Sequence, residues 1–365
     1  MKKYLYTLIF IVLHSCSSDE KISPNDDFDR GLILTSTYDN IIIPAYVNLD
    51  ITLKDLEEKI DYFNEDPNTD NLSALRQSWI SSYTAWQSVA MFNIRKAEEI
   101  FYADIMNTYP CDEDIINNNI NDSVYEIPGI SINNLGSSGF PAIGYLIYGL
   151  SEDSTNILSF YTSNNADKYK TYLQALINNM IYNTELVITD WNNHRSDFVN
   201  STGNSSTSSL NTTINDVLQY FEKRVREAKV AIPSAVRGDL TPRPDQVESY
   251  YHADICKILL QNAFTSIERF YYGHSYFGLA NGTGLETYLQ ALDNTEELRD
   301  AITSQIEDIK QKILLLDNNF IIQLENNPQK MWDVFYSMQT LVTYTKSDML
   351  SKFNISSDYM DNDGD

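Results

Sequence analysis

The chain has 365 residues with 51 acidic and 26 basic side chains, and its formal net charge is −25. Such a charge repels nucleic acid and anionic lipid head groups, so the sequence argues against nucleic acid as a partner. Hydrophobic residues make up 42% of the chain, which is enough to bury a core in one large domain or two modest ones.

Residues 1–15 are typical of a bacterial signal peptide. Two lysines precede an apolar stretch, residues 4–13, that is too short to cross a bilayer permanently. The stretch runs into the sequence Leu-His-Ser-Cys, which ends at Cys16 and resembles the processing site of bacterial lipoproteins; the histidine is unusual there. We expect cleavage before Cys16 and acylation of this residue, because several acyl chains give stable anchoring. The alternative is a plain secretory signal followed by a chance cysteine.

Residues 16–27 are polar and acidic, and they are predicted to form a flexible tether between the lipid and the folded part. An acidic patch directly after the lipidated cysteine resembles the surface-export signal of some gram-negative lipoproteins. We therefore expect an outer membrane lipoprotein, exposed on the cell surface or otherwise on the periplasmic face, with the membrane as a partner through the lipid.

Helical periodicity dominates the rest of the chain. Apolar residues recur at steps of three and four, and runs that alternate in the manner of strands are absent. Irregular sequence is predicted at 110–139 and, as a Ser/Thr/Asn/Gly-rich linker, at 196–213. The fold prediction is all-α, with two packed antiparallel helical bundles at 28–195 and 214–365, the second ending in an acidic tail. The predicted helices cover about 31–63, 72–90, 93–107, 165–192, 214–230, 247–270, 298–316 and 331–349.

The segment 139–149, Gly-Phe-Pro-Ala-Ile-Gly-Tyr-Leu-Ile-Tyr-Gly, carries the most specific signal. It resembles the signature region of the imelysin family, whose pattern is Gly-x-His-x-x-Glu followed by an aromatic residue, apolar residues and glycine. The tryptophans at Trp79 and Trp86, the segment 232–251 and the region around Tyr344 fit the same family in order and spacing. The resemblance covers essentially the whole mature chain.

The resemblance implies a two-part helical protein of the bacterial envelope that is linked to iron uptake, and some family members are described as metallopeptidases. In this chain, however, the histidine position of the signature is Pro141 and the glutamate position is Gly144. A further family glutamate aligns with Val89. Because Zn²⁺ and iron sites need several His, Cys or carboxylate ligands, no transition metal is expected at the family site.

A ligand pocket is predicted from the same residues. Phe140 and Tyr145 could line a groove between the two helical sets, together with Trp86, Pro141 and Gly144. The alternative is ordinary packing between the bundles.

Two other groups of residues are weaker candidates for metal binding. Glu248 and His252 lie four residues apart in a predicted helix, and the alternative is a solvated pair. Asp361, Asp363 and Asp365 resemble the start of a calcium loop, which needs further ligands, so the prediction is a weak calcium site or a frayed tail. The sequence leaves open whether Cys111 and Cys256 form a disulfide.

The resulting hypothesis is a non-enzymatic, lipid-anchored envelope protein that binds a ligand in iron acquisition. With the family's acidic ligands replaced, the ligand would be an iron chelate, haem or an envelope partner protein. One alternative is an imelysin-type metallopeptidase, which requires ligands that the motif lacks. The other is a surface adhesion or scaffold protein, which the 25 tyrosines and the Asn/Ser-rich loops favour.

Overall fold

Helices account for nearly all regular structure in the computed structural model, which describes residues 27–123, 132–151, 153–278 and 281–359. No β-strand occurs in these ranges, apart from one isolated bridge between His274 and Asn281. The helices in the same ranges are all too short or too polar to cross a membrane. The prediction of an all-α fold with two packed helical bundles is confirmed.

The first half of the described chain is built around the long helices Ile43–Glu65 and Ala166–Asn193, and a third helix, Thr69–Trp86, packs against the first of them. The π-helical segment Thr37–Ile42 joins the first two helices, a 3₁₀ segment covers Ile132–Ser137, and a second π-helical segment covers Tyr145–Gly149. The α-helices are α1 (Arg30–Ser36), α2 (Ile43–Glu65), α3 (Thr69–Trp86), α4 (Lys96–Glu99), α5 (Tyr102–Asn107), α6 (Glu113–Asp122), α7 (Gly139–Gly144), α8 (Ser154–Thr162), α9 (Ala166–Asn193) and α10 (Arg195–Asn200).

Helix α2 forms the centre of this half because it packs against both α3 and α9. Its buried side chains Leu49, Leu53, Leu56 and Ile60 recur at steps of three and four and form one apolar stripe. The connection to α3 is short, and the Asn68 side chain caps that helix by accepting a hydrogen bond from the next turn. The short connection places α2 and α3 side by side as an antiparallel pair.

The second half also has a central helix with two neighbours. The helix Gln329–Val342 packs against the helix Glu296–Leu314 and against the segment Phe221–Ala231. That segment, Phe221–Ala231, is π-helical, as is Thr343–Met349, and 3₁₀ segments cover Pro244–Gln246 and Tyr250–Ile255. The α-helices are α11 (Ser209–Tyr220), α12 (Ile232–Ser234), α13 (Cys256–Tyr272), α14 (Leu285–Ala291), α15 (Glu296–Leu314), α16 (Phe320–Asn326), α17 (Gln329–Val342) and α18 (Leu350–Lys352).

Three predicted boundaries were wrong. The segment 110–139 was expected to be irregular but contains α6, which Asp112 caps and which buries Ile116 and Ile120. The helix predicted at 93–107 is divided into α4 and α5 by Phe101, whose backbone is left-handed with φ of 55°. The regular helix expected from 247 begins only at residue 256, because His252 has the non-helical angles φ −144° and ψ 68°.

The predicted linker, 196–213, includes all but the first residue of α10 and the start of α11. Residues 201–208 connect the two helices. Both halves contribute to one continuous hydrophobic core. Arg30 illustrates their contact, because its buried guanidinium donates hydrogen bonds to the Tyr288 hydroxyl and to the Phe353 carbonyl of the second half.

Several predictions fall outside the described residues. These are the signal peptide, the lipidated Cys16, all but the last residue of the tether, and the calcium candidates Asp361, Asp363 and Asp365. The two cysteines within the described ranges, Cys111 and Cys256, are both free thiols.

Candidate functional site

The signature segment begins at Gly139, where only glycine fits. Its φ is +71°, and a Cβ atom at this position would lie 2.2 Å from the Met106 carbonyl oxygen. The absence of a side chain therefore lets α7 start against the backbone of α5. All six residues of α7 are buried, and the π-helical turn after it continues into the same core.

Helix α3 supplies the aromatic side chains that hold α7. The Trp79 indole nitrogen donates a hydrogen bond to the Phe140 carbonyl oxygen at 3.0 Å. The Tyr83 ring stacks on the Phe140 ring with centroids 4.6 Å apart and planes inclined by 5°. A Cβ atom on Gly144 would lie 2.9 Å from the Trp79 ring, so glycine allows the indole to pack directly on the α7 backbone.

Helices α3 and α7 form one wall of a cleft, and residues 247–251 of the second half form the opposite wall. We call this cleft the aromatic cleft. Its cavity volume is about 20 Å³, and the empty space reaches about 330 Å³ only when the solvent at its open mouth is included. Its lining mixes aromatic rings with a small number of polar groups, as small-molecule sites commonly do. The lining residues are Trp79, Tyr83, Tyr109, Pro110, Cys111, Pro141, Gly144, Val247, Glu248, Ser249, Tyr250 and Tyr251.

The five residues predicted for a ligand pocket lie near one another but have different roles. Pro141 and Gly144 line the aromatic cleft. Phe140 is fully buried behind it, and the Tyr145 ring packs on Tyr251 with centroids 5.2 Å apart. Trp86 lines a neighbouring cavity that shares Tyr109 with the cleft.

A buried ion pair lies beside the aromatic cleft, at the junction between the two halves. Lys229 donates a hydrogen bond to one carboxylate oxygen of Glu248, and both side chains are almost completely buried. The other oxygen accepts from the Gln87 amide at 3.1 Å and from the Asn107 amide at 2.8 Å. Burial lowers the pKa of Lys229, and the attraction of Glu248 opposes that shift. Through these two amides, Glu248 connects the second half to the residue after α3 and to α5 of the first half.

The model of the Imelysin family matches residues 42–345, which include every wall of this junction. The chain belongs to the imelysin family. The resemblance carried by segment 139–149 is thereby confirmed, and the imelysin signature forms one wall of a cleft between the two halves.

Solved structures and a curated relative agree with this assignment. An imelysin-like protein from Psychrobacter arcticum shares the fold with a TM-score of 0.70 at 14% identity, covering 90% of this chain and 96% of that one. A protein described as an iron-regulated protein A precursor from Parabacteroides distasonis gives 0.74 at 16% identity, covering 92% and 97%. Iron-regulated protein A of Synechococcus elongatus is 27% identical over 74 residues, which span 20% of this chain and 21% of that relative.

The positions of the imelysin motif do not provide a set of metal ligands in this chain. Pro141 and Val89 have no side-chain donor, and Gly144 contributes only backbone that packs on Trp79. The carboxylate in the same cleft, Glu248, is held by an ammonium and two amides. Within the described ranges, no group of three or more His, Cys, Asp or Glu residues could hold a metal ion. The residues present do not fit a transition metal at this site.

Glu248 and His252, the weaker metal candidates, are directed at different neighbours. They do not share a regular helix, because Glu248 lies in a turn and His252 in the distorted 3₁₀ segment. The His252 ring stacks on Tyr148 with centroids 4.4 Å apart, and Arg76 lies over the same tyrosine ring. Burial lowers the pKa of His252; Asp254 opposes that shift and Arg76 adds to it.

Sequence reasoning missed several residues of the junction. Trp79, Tyr83 and Tyr251 belonged to apolar stripes of predicted helices but were not assigned to the pocket. Tyr109 was not singled out at all. The partner of Lys229 is Glu248, 19 residues away, and only the tertiary fold brings them together. The spacing of Trp79 and Tyr83 offered a signal, because the two are four residues apart in a predicted helix and therefore lie on the same side of it.

Proposed function

We propose that this imelysin-family protein is a non-enzymatic, lipid-anchored envelope protein that binds a ligand in the aromatic cleft during iron acquisition. The proposed ligand is an iron chelate or haem, or a protruding group of an envelope partner protein. The observation that carries the proposal is the position of the signature segment. It walls a cleft between the halves, yet its histidine and glutamate positions are Pro141 and Gly144.

The chemistry of the cleft supports an organic ligand. Trp79, Tyr83, Tyr109 and Tyr251 contribute aromatic side chains to its lining. Trp79 and Tyr83 are almost fully buried, and a lining of this kind favours apolar or planar groups. The only carboxylate among its lining residues, Glu248, already accepts hydrogen bonds from three donors. A bare cation would have to compete with the Lys229 ammonium for that carboxylate.

The names of the relatives support the setting of iron acquisition. Iron-regulated protein A of Synechococcus elongatus and the Parabacteroides distasonis protein are both described by their response to iron. The proposed anchor has support from the sequence, in which Cys16 follows a short apolar stretch and two lysines. A Cys16→Ser variant should lose acyl labelling and leave the membrane fraction, and a variant that keeps both would contradict the anchor.

The test of ligand binding is a calorimetric titration of the purified full-length chain with haem, ferric citrate, Fe²⁺, Fe³⁺, Zn²⁺ and Ca²⁺. We expect one-to-one binding of haem or ferric citrate and no stoichiometric binding of the bare transition metals. Tyr250→Ala should weaken the organic ligand about tenfold, because this exposed ring lies at the rim of the cleft. Tyr336→Ala is the matched control, since that tyrosine is exposed outside the cleft.

Three outcomes would contradict the proposal in distinct ways. Failure of haem and ferric citrate to bind, or equal binding by the two tyrosine variants, would remove the ligand from the aromatic cleft. Stoichiometric zinc or iron together with chelator-sensitive cleavage of an unfolded substrate would favour the metallopeptidase. Recovery of partner proteins alone from intact cells, with no small ligand, would favour the adhesion or scaffold alternative.

A further inference from the structure

A second pocket adjoins the cavity that Trp86 and Lys229 line, and we call it the Tyr220 pocket. Its cavity volume is about 140 Å³. Asn93 and Ala103 of the first half form one side, and the other consists of Asp216, Tyr220, Lys223 and Arg224. It shares Tyr220 and Arg224 with the cavity beside Lys229 but no residue with the aromatic cleft.

The Tyr220 hydroxyl has no hydrogen-bond partner among the described residues, although its residue is only 7% exposed. A buried hydroxyl without a partner is costly, and most buried polar groups in native proteins are hydrogen bonded. This residue lines the pocket, but the hydroxyl oxygen itself is closed off from solvent, so a ligand in the pocket would satisfy it only after neighbouring side chains move aside.

Two cations accompany this hydroxyl. Lys223 and Arg224 follow Tyr220 by three and four residues near the start of the π-helical segment, and all three line the Tyr220 pocket. Within the described ranges Lys223 forms no ion pair, and its ammonium lies 5.8 Å from the centroid of the Tyr359 ring. Among the described residues this half-buried lysine has no carboxylate partner, in a chain with nearly twice as many acidic as basic residues.

Arg224 also retains hydrogen-bonding capacity. One guanidinium nitrogen contacts Asp104 at 2.5 Å, and a guanidinium has five N–H donors. Burial raises the pKa of Asp216 well above its ordinary range; the Asn93 N–H opposes the shift, and Glu98 and Asp358 add to it. This favours the neutral carboxyl group, which repels an anion less than a carboxylate does and can itself donate a hydrogen bond.

We propose that the Tyr220 pocket binds the oxyanion group of a small molecule, a carboxylate or a phosphate, through the Tyr220 hydroxyl, the Lys223 ammonium and the Arg224 guanidinium. Charge-assisted hydrogen bonds to such groups are the strongest available to these side chains. This site does not depend on the ligand of the aromatic cleft, because the two share no lining residue.

The test is calorimetric titration of the full-length chain at low ionic strength with inorganic phosphate and, separately, with succinate. We expect at least one of them to bind with a Kd of about 1 mM or tighter. The anion that binds identifies the source of the oxyanion, and its affinity should fall as salt is added because the contacts are partly exposed. Neither probe carries iron or an aromatic ring, so failure of the aromatic cleft would leave this result unaffected.

Two variants locate the anion, and each has a matched control. Tyr220→Phe should weaken binding about tenfold because it removes a hydrogen bond to a charged group. Lys223→Gln should weaken it a few-fold, as expected for a partly exposed charge. Tyr271→Phe removes another buried hydroxyl that has no partner, and Lys352→Gln removes an exposed lysine in α18; both should bind the anion normally.

Two results would overturn the proposal. One is the absence of binding by both phosphate and succinate. The other is binding that Tyr220→Phe and Lys223→Gln leave unchanged, or that the control variants weaken equally. Thermal unfolding followed by circular dichroism checks that each variant is folded, and Lys223→Gln still tests the site if Tyr220→Phe is unstable.

Discussion

The Tyr220 pocket and the junction around Lys229 contain similar side chains but differ in how those side chains are satisfied. At the junction, the Lys229 ammonium meets the Glu248 carboxylate, whose second oxygen accepts from two amides. In the pocket, the Tyr220 hydroxyl has no described partner and Lys223 forms no described ion pair. Buried polar groups are stabilising only when their partners are present.

This difference indicates which polar groups support the fold and which are available to a ligand. The Lys229 and Glu248 pair is buried, and Glu248 also connects the two halves through the Gln87 and Asn107 amides, so removing either partner of the pair should destabilise the protein. The Tyr220 hydroxyl and the Lys223 ammonium have no such partners among the described residues, so changing them should affect binding and leave stability nearly intact.

The largest effect is expected from Glu248→Leu, which leaves the Lys229 ammonium buried without a carboxylate. The free energy of unfolding should fall by about 3–5 kcal/mol, measured by urea denaturation. Adding Lys229→Met should recover much of the loss, because no charge then remains buried. Glu307→Ala is the control, since its pair with Lys310 is exposed and contributes less than about 1 kcal/mol. Equal losses for Glu248 and Glu307 would show that the buried pair has no special role.

A smaller loss is expected from Gly144→Ala on the aromatic side. The new methyl group would lie 2.9 Å from the buried Trp79 ring, and overpacking of this kind costs about 1–3 kcal/mol. Gly203→Ala is the control, because no atom lies within 4 Å of its Cβ position, and it should change stability by less than about 0.5 kcal/mol. A Gly144→Ala protein as stable as the control would contradict the close contact with Trp79.

A pH-dependent effect is expected at His252, which stacks on Tyr148 and lies near Trp79, Arg76 and Asp254. Its pKa in the folded protein is below its ordinary value of about 6.5, so the unfolded chain binds more protons in the window between the two values. The free energy of unfolding should therefore fall as the pH decreases through that window.

Urea denaturation at several pH values compares the wild type with His252→Phe, which keeps a ring for stacking but cannot titrate. The variant should lose less stability than the wild type between pH 7 and pH 5. An identical pH dependence for the two proteins would exclude His252 as a contributor.

The smallest effect on stability is expected from Tyr220→Phe. Because its hydroxyl makes no described hydrogen bond, the variant should unfold within about 0.5 kcal/mol of the wild type, or be slightly more stable. The matched comparison is Tyr102→Phe, whose hydroxyl lies 2.7 Å from the Thr184 hydroxyl and should cost about 1 kcal/mol. If Tyr220→Phe cost more than Tyr102→Phe in thermal or urea unfolding, the distinction between the two regions would fail.

Much of the fold could be predicted from local pattern. The stripe in α2 and those in α15 and α17 identified long helices, because burial on one side of a helix leaves a period of three to four residues. The motif at 139–149 identified the family, as the match of the family model confirms. Boundaries failed where one residue, such as Phe101 or His252, adopts an unusual backbone angle that periodicity does not register.

The sequence by itself determined the fold class and the family, since these depend on residue type and local spacing. Only the tertiary structure decided which distant residues meet. Glu248 was recognisable as a carboxylate, but its partners Lys229, Gln87 and Asn107 come from three other segments. Whether a buried polar group is satisfied is a property of those long-range contacts. Local sequence therefore could not separate Lys229, which pairs with Glu248, from Lys223, which has no ion pair among the described residues.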